Sequence, residues 1–314
     1  MKTISLAEAE NGNGKRTILV AGATGRVGRY VCEQVLLRYP GSQVRATFRN
    51  ETKASQVLSK LTKDYPSRIE LVQCDLNKRS DVRTITQGVS QAVWCASGFA
   101  PPRGGIFSRL LYLVKIKMQQ KLRRALDIRG PAMMAEMLKD QPPPLIAKGE
   151  GTVTVERKEQ GDGVEETLPR LVLLSSAAVT RPGWSDEQKE KYPEAAGIAI
   201  VRLNPLNILG SKLKGEEKLK ATGVPYTILR SCGINSTHPD GTFQLQTGDT
   251  AVGRINPKDL AISLATTLGI PQAAGKTVEI FTTERPTSFF PFANRGTKQM
   301  LTTKFSEIVR DDQR

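Results

Sequence analysis

A cluster of glycines stands between a short apolar run and a helix-like pattern near the start of the chain. The stretch ILVAGATGRVGRYV covers residues 18–31, and its glycines are Gly22, Gly25 and Gly28. The apolar run predicts a buried strand at Thr17–Ala21, and the spacing after the cluster predicts a helix over Arg26–Arg38. At such a junction the first glycine permits a tight turn, the middle one lets the backbone approach a pyrophosphate, and the last lets helix and strand pack closely. The pattern therefore predicts a dinucleotide-binding turn, with a tight turn that holds no ligand as the alternative.

The rest of the chain repeats the alternation of strand and helix. Further strands are predicted at Gln43–Phe48, Ile69–Gln73, Ala92–Ala96, Leu171–Ser175, Tyr226–Arg230 and Val278–Phe281. Helices are predicted over residues 53–63, 127–139, 206–222 and 257–268. Strands separated by helices form right-handed βαβ units with a parallel sheet. The predicted fold class is α/β, a Rossmann-type doubly wound parallel sheet with a small C-terminal substrate lobe.

The length of 314 residues suits one large α/β domain. We expect a flexible arm at residues 1–16, the Rossmann domain at 17–285 with its C-terminal lobe from Cys232, and a C-terminal extension at 286–314. A basic insertion at 103–125 and a loop or small hairpin at 140–169 interrupt the domain.

The chain is strongly basic, with 46 lysines and arginines against 31 acidic residues and a net charge of +15. Such an excess suggests cofactor phosphates, RNA or an acidic membrane surface as partners, although an ordinary solvated surface explains it equally well. The segment 103–129 carries much of the excess, and its apolar residues fall near one helical face. We expect it to contact an anionic membrane surface or RNA, to cover the substrate pocket, or to pack on the domain as an amphipathic helix.

The end of the second strand discriminates between nicotinamide cofactors. An NAD site usually has Asp or Glu there, which accepts hydrogen bonds from the ribose 2′-hydroxyl. Here the strand VRATFRN ends in Arg49-Asn50, and Lys53 follows. An arginine can pair with a 2′-phosphate, so NADP(H) is favoured, unless Arg49 merely belongs to a basic surface. The predicted cofactor-binding residues so far are Gly22, Ala23, Thr24, Gly25, Arg26, Val27, Gly28, Arg49, Asn50, Lys53, Asp75, Leu76, Ala96, Ser97 and Gly98.

Several of these motifs together resemble the atypical short-chain dehydrogenases/reductases of the NmrA-like group. The motifs are GATGRVG, the strand ending in Arg49-Asn50, CDL at 74–76 and LVLLSS at 171–176. The run SKLKGEEKLKATGVPYTILRSCGI at 211–234 is similar to a further segment of that group, and GRINPKDLA at 253–261 to the segment after it. The nearest subgroup is that of plant, algal and cyanobacterial proteins related to photosystem II assembly, some of which contain a complex I intermediate-associated protein 30 domain. The resemblance covers roughly residues 17–285 outside the two insertions.

The resemblance implies where a catalytic centre would lie. Active members use Ser, Tyr and Lys, with Tyr four residues before Lys. Ser176 and Lys212 match the serine and the lysine, but Ile208 stands where the tyrosine is expected. The resemblance also places Lys212, Cys232 and Gly233 near the nicotinamide. The alternatives are a strand-end role for Ser176 and, for Lys212, a solvated lysine paired with Glu216.

Two functions remain open at this stage. One is an NADPH-dependent reductase of a small carbonyl or conjugated substrate. The other is a non-catalytic NADP(H)-binding assembly, scaffold or RNA-associated factor of the plastid type. A metal site is not expected, because the four cysteines form no C-x-x-C pair and His238 is the only histidine. We expect a soluble intracellular protein, and the resemblance implies the plastid stroma or the thylakoid surface.

Overall fold

The fold is taken from a computed structural model of the whole chain. The structure describes residues 16–98, 125–144, 167–284 and 295–313, together with three short strands at Thr3–Ser5, Ile146–Ala147 and Thr152–Thr154. The predicted basic insertion therefore lies outside the described residues, except for its last residue, Ala125.

A ten-stranded, mostly parallel sheet forms the centre of the fold. Its strands are β1 (Thr17–Ala21), β2 (Gln43–Phe48), β3 (Ile69–Gln73), β4 (Val89–Trp94), β5 (Leu171–Ser176), β6 (Tyr226–Ser231), β7 (Gly233–Ile234), β8 (Gly241–Gln246), β9 (Arg254–Ile255) and β10 (Lys276–Glu284). The order across the sheet is β7-β9-β10-β6-β5-β4-β1-β2-β3, and β8 pairs antiparallel with β10. The order reverses between β1 and β4, which is where dinucleotides bind in doubly wound sheets. The predicted fold class is confirmed.

Helices cover both faces of this sheet. They are α1 (Gly28–Arg38), α2 (Glu51–Asp64), α3 (Arg79–Thr86), α4 (residues 125–138), α5 (Asp186–Lys191), α6 (Pro193–Gly197), α7 (Ala199–Leu203), α8 (Ile208–Lys220), α9 (Pro257–Thr267) and α10 (Arg295–Ser306).

Two apolar cores lie on opposite faces of the sheet. Side chains of α1, α9 and α10 pack on one face, among them Val31, Leu264 and Phe305. Side chains of α3, α4 and α8 pack on the other, among them Met134 and Leu219. Since β1, β4 and β6 are covered on both faces, their side chains are almost continuously buried, as central parallel strands require.

The predicted fourth strand was placed three residues too late. It begins at Val89 rather than Ala92, because Ser90 and Gln91 are buried polar residues with their own partners. The Gln91 amide donates to the carbonyl oxygens of Pro169 and Leu268, at 2.6 and 2.8 Å. A hydropathy pattern cannot anticipate such long-range hydrogen bonds.

The connection from β5 to α8 also differs from prediction. Short helices α5, α6 and α7 occupy it, and α8 begins at Ile208 rather than Leu206. Three non-glycine residues just before α8 have positive φ, with values of 28°, 57° and 53° at Asn204, Leu206 and Asn207. Such conformations are costly and persist only where the surrounding structure imposes them.

Short elements are described near the ends of the chain and within the second insertion. Three residues of the predicted flexible arm, Thr3–Ser5, pair with Thr152–Thr154, which pairs in turn with Ile146–Ala147. The expected hairpin within 140–169 is thus present as a short antiparallel pair. Beyond residue 285, helix α10 buries Leu301 and Phe305 in the main core. Among the described residues, no helix is long and apolar enough to span a membrane.

Candidate cofactor and active site

The glycine-rich turn joins β1 to α1 at the carboxyl edge of the sheet. Gly22 has a φ of +82°, and a Cβ atom on it would lie 2.8 Å from the amide nitrogen of Ala96. A Cβ on Gly28 would lie 2.2 Å from the carbonyl oxygen of Gly22. At Gly25 the turn's own carbonyl of Gly22 is the one atom within 4 Å, at 3.0 Å. The outer glycines are therefore required by the turn and by helix packing, and the middle one leaves its outer side open.

The amino end of α1 is left free to bind an anion. No side chain caps this helix, and its first turn has no acidic residue. Among the described residues, the amide hydrogens of Arg26, Val27 and Gly28 have no hydrogen-bond acceptor. Free amides at a helix amino end, aligned with the helix dipole, form a binding site for phosphate. The turn thus fits the pyrophosphate of a dinucleotide.

The carboxyl end of β2 presents charged side chains next to that turn. Arg49 and Lys53 are exposed, as the 2′-phosphate prediction requires. Asn50 has a different task, because its Oδ1 accepts a hydrogen bond from the Lys53 amide at 2.8 Å and caps α2. Glu51, in the first turn of α2, is exposed as well. An exposed arginine, Arg49, and an exposed carboxylate, Glu51, therefore both follow β2 within three positions.

The ends of β3 and β4 supply further polar groups. Asp75 follows β3, and its Oδ1 accepts hydrogen bonds from the backbone and side-chain nitrogens of Asn77, at 3.1 and 3.2 Å. Leu76 is buried beside α3 and α4. Ala96, Ser97 and Gly98 follow β4, and the Ala96 backbone lies against Gly22 of the glycine turn. Their contact with the dinucleotide stays a prediction.

Lys212 is held by a carboxylate that the sequence did not single out. Its Nζ lies 3.2 Å from Oδ1 of Asp127, a residue of α4 that is 5% exposed. The same carboxylate accepts hydrogen bonds from the Ser97 hydroxyl at 3.1 Å and from the Gly98 amide at 2.8 Å. One buried side chain thus joins the loop after β4 to α4 and α8. From the sequence alone, Asp127 reads as an ordinary residue near the start of a predicted helix.

Close packing of α4 and α8 brings this pair together. A Cβ atom on Gly215 would lie 2.0 Å from the carbonyl oxygen of Asp127, so only glycine permits the approach. Lys212 lies one turn before Gly215 on the same helix, which places its ammonium beside the Asp127 side chain. Gly215 is a signal in the sequence for this packing, but a glycine inside a helix does not reveal its partner.

The predicted alternative for Lys212 is wrong. Glu216 lies four residues later but is fully buried and pairs with Arg230, whose Nη2 lies 2.7 Å from Oε2. The Ser175 hydroxyl also donates to Glu216. Ser176, the serine matched by resemblance, is partly exposed at the end of β5, and its hydroxyl donates to the Ala177 carbonyl at 2.9 Å.

A second group of buried charges joins the loop after β5 and the loop after β8 to β10. The Arg181 side chain is fully buried and donates to the carbonyl oxygens of Asp249 and Ala251 and to Oε1 of Glu279. Burial, and then the nearby Asp249 carboxylate, raises the pKa of Glu279 above its ordinary value. Its Oε2 is buried with no partner among the described residues. No motif in the sequence marked this group.

Cys232 and Gly233 follow the end of β6, and their contact with the nicotinamide stays a prediction. Gly233 pairs with Arg254 of β9. Burial raises the pKa of the Cys232 thiol to about 12, and the Glu279 carboxylate adds to the effect. Burial likewise raises the pKa of the half-buried Cys95 to about 12. A raised pKa disfavours the thiolate, so the environments of these two thiols do not favour a nucleophilic role.

The tyrosine expected four residues before Lys212 has no substitute nearby on the chain. Ile208 begins α8, and Tyr192 ends α5, with its ring 5.9 Å from that of Trp184. Within the described residues, no group of three or more His, Cys, Asp or Glu side chains could hold a metal ion.

Comparison with known proteins agrees with this geometry. Residues 22–127 match the family model of NAD(P)H-binding domains. A short-chain dehydrogenase/reductase from Veillonella parvula, solved in complex with NADP, shares the fold with a TM-score of 0.53 at 12% identity, over 88% of this chain and 97% of that one. The fold, the glycine turn and the family match show an NAD(P)H-binding domain on a Rossmann-type fold.

Two curated proteins are similar to this chain in sequence. An uncharacterized chloroplastic protein of Arabidopsis thaliana is 28% identical over 259 residues, which are 82% of this chain and 73% of the relative. The chloroplastic protein High Chlorophyll Fluorescence Phenotype 173, also from Arabidopsis thaliana, is 32% identical over 81 residues, 26% of this chain and 12% of that protein. The chain is thus similar to chloroplastic proteins of a plant, to one over most of its length and to the other over about a quarter.

Proposed function

We propose that the protein is an NADP(H)-dependent reductase of a small carbonyl or conjugated substrate. The observation that carries the proposal is the open amino end of α1, with free amides and no carboxylate in its first turn, beside the exposed Arg49. This edge has the positive charge that a pyrophosphate and a 2′-phosphate need. The relative from Veillonella parvula, which was solved with NADP, is consistent with that preference.

The chain's own residues near the nicotinamide would bind the cofactor and the substrate and would protonate the substrate. The bound cofactor supplies the hydride for the electrophilic carbon of the substrate. Lys212 presents an ammonium that can contact the nicotinamide ribose and stabilise negative charge developing on a substrate oxygen. Because Ile208 replaces the tyrosine that would donate the proton, the Lys212 ammonium donates it instead, and solvent would restore the proton to the lysine. Ser176 lies at the adjacent strand end, where its hydroxyl can contact the substrate.

Calorimetric titration with NADPH and NADH tests the cofactor assignment. Arg49→Ala should weaken NADPH binding about tenfold, which is about 1.4 kcal/mol, and leave NADH within about twofold. Arg83→Ala is the matched control, because Arg83 is an exposed arginine in the last turn of α3, away from this edge. If Arg49→Ala behaves like Arg83→Ala, the 2′-phosphate contact is wrong.

Glu51 offers the opposite test. If its carboxylate binds the ribose 2′-hydroxyl, Glu51→Gln weakens NADH binding and NADH is the tighter ligand. Our proposal expects Glu51→Gln to leave NADH affinity unchanged and to raise NADPH affinity slightly.

Catalysis is tested by the oxidation of NADPH in the presence of a panel of aldehydes, ketones and enones. Lys212→Met should abolish any turnover found.

A second candidate function is a non-catalytic NADP(H)-binding factor in plastid assembly or RNA metabolism. Ile208 in place of the tyrosine favours it. A wild-type protein that binds NADPH tightly and reduces nothing in the panel would support this candidate. The predicted RNA or membrane contact through 103–129 stays a prediction, since most of that segment lies outside the described residues.

A further inference from the structure

We propose that Asp127 is the positioning residue of Lys212, which it fixes toward the nicotinamide half of the cofactor. The inference deepens the proposed function and rests on it for the identity of the ligand. The ion pair itself is a feature of the folded chain and can be tested without any ligand.

Both oxygens of the Asp127 carboxylate are engaged. Oδ1 accepts from the Ser97 hydroxyl at 3.1 Å and lies 3.2 Å from the Lys212 ammonium, and Oδ2 accepts from the Gly98 amide at 2.8 Å. A buried carboxylate is stable only when charges and donors of this kind surround it. The side chain therefore holds the loop after β4 and the lysine in one fixed arrangement.

Lys212 has no competing partner on its own helix. Glu216, one turn later, is occupied by Arg230 and Ser175. The Lys212 side chain is 16% exposed, so its ammonium lies at the border of the site rather than in bulk solvent. Because a free lysine side chain loses rotamer entropy when it binds a ligand, an ammonium that is already fixed is better prepared to bind a ribose or a developing oxyanion.

The position of the pair limits its effect to one half of the cofactor. Asp127 belongs to α4, which follows β4, and Lys212 belongs to α8, which packs on β5 and β6. These strands lie on one side of β1 in the sheet, whereas Arg49 follows β2 on the other side. Loss of the Asp127 charge should therefore affect the nicotinamide half and spare the adenosine half.

Titration of two ligands separates these halves. The probes are NADPH and adenosine 2′,5′-bisphosphate, which has the adenosine half and no nicotinamide. In Asp127→Asn we expect NADPH binding about tenfold weaker and the bisphosphate within about twofold of wild type. Lys212→Met should give the same NADPH loss, and the double variant should lose no more than either single variant, as residues acting as one unit require. Asp127→Glu should recover part of the affinity, because it keeps the charge.

Chemical labelling tests the ion pair without a ligand. Acetylation of individual lysines, followed by mass spectrometry, should modify Lys212 slowly in wild type and at least about tenfold faster in Asp127→Asn, since the ion pair engages its nitrogen. The matched control is Asp186→Asn, whose partner Lys189 lies at 2.9 Å in an exposed pair. Labelling of Lys189 should change little there, because exposed pairs are weak.

The outcomes are distinguishable. If Asp127→Asn weakens NADPH and the bisphosphate equally, Asp127 only supports the fold and the positioning role is wrong. Unchanged Lys212 labelling in Asp127→Asn would also overturn the inference. If neither ligand binds the wild type, the proposed function fails, and the role of Asp127 toward the ribose fails with it.

Discussion

The two halves of the central sheet, β1 to β3 on one side and β5, β6 and β10 on the other, form the same carboxyl edge with different kinds of interaction. On the side of β1 to β3, the edge is made by backbone: glycines in close contact, free amides and exposed basic side chains. On the side of β5, β6 and β10, buried ion pairs support the edge. Arg230 pairs with Glu216, and Arg181 pairs with Asp249 and Glu279. A phosphate needs donors close to solvent, whereas loops that approach a reacting atom need a rigid base. The comparison shows that one side is organised locally and the other by contacts between distant residues.

The largest expected effect comes from breaking a buried ion pair on the charged side. Arg230→Met leaves the fully buried Glu216 carboxylate without its partner, and such losses cost about 3–5 kcal/mol in the free energy of unfolding. Urea denaturation measures this loss. The double variant Glu216→Gln/Arg230→Met removes the orphaned charge and should recover at least half of the stability. Equal losses in the single and double variants would show that the charge itself is unimportant.

The backbone side should be sensitive to a single methyl group. Gly28→Ala introduces a Cβ atom 2.2 Å from a carbonyl oxygen of the turn, so the helix must shift, at a cost of about 1–3 kcal/mol. Thermal unfolding measures the stability, and NADPH binding should fall more steeply than stability alone implies. Gly41→Ala is the control, since nothing lies within 4 Å of its Cβ position. A Gly28→Ala variant with a lower melting temperature but unchanged NADPH affinity would show that the turn does not form the cofactor site.

A smaller, pH-dependent effect on stability is expected from Glu279. Burial and the Asp249 carboxylate raise its pKa in the folded protein, so the folded state favours the protonated carboxyl. This contribution to stability is fully present below the ordinary glutamate pKa, near 4.5, and is lost as the pH rises through the folded-state pKa. Wild type should therefore lose stability relative to Glu279→Gln as the pH increases from 4.5. A constant difference in melting temperature across that range would contradict this sign.

The smallest effect should come from an exposed pair on the backbone side. The Arg45 guanidinium lies 2.7 Å from the Glu70 carboxylate, which is 57% exposed. Glu70→Gln should change the free energy of unfolding by less than about 1 kcal/mol. Urea denaturation in parallel with Arg230→Met makes the contrast direct. A loss as large as that of Arg230→Met would remove the distinction between the two sides of the sheet.

The sequence by itself determined the fold class, most of the central strands and the position of the glycine turn. These features depend on neighbouring residues, since apolar runs, helical spacing and glycines act within a few positions along the chain. It also placed Arg49 just after β2, with Lys53 following it. The assignment of Asn50 to the cofactor did not anticipate that its side chain caps α2.

Only the tertiary structure decided the partners at the reactive end. Asp127 lies 85 positions before Lys212, and Glu279 lies 98 positions after Arg181. Neither separation leaves a local pattern, because a buried charge is stabilised by whichever opposite charge the fold brings to it. For the same reason the alternative of a Lys212–Glu216 pair is wrong. Helical spacing permits that pair, but Glu216 is buried and forms its ion pair with Arg230, an interaction that the low dielectric of the interior strengthens.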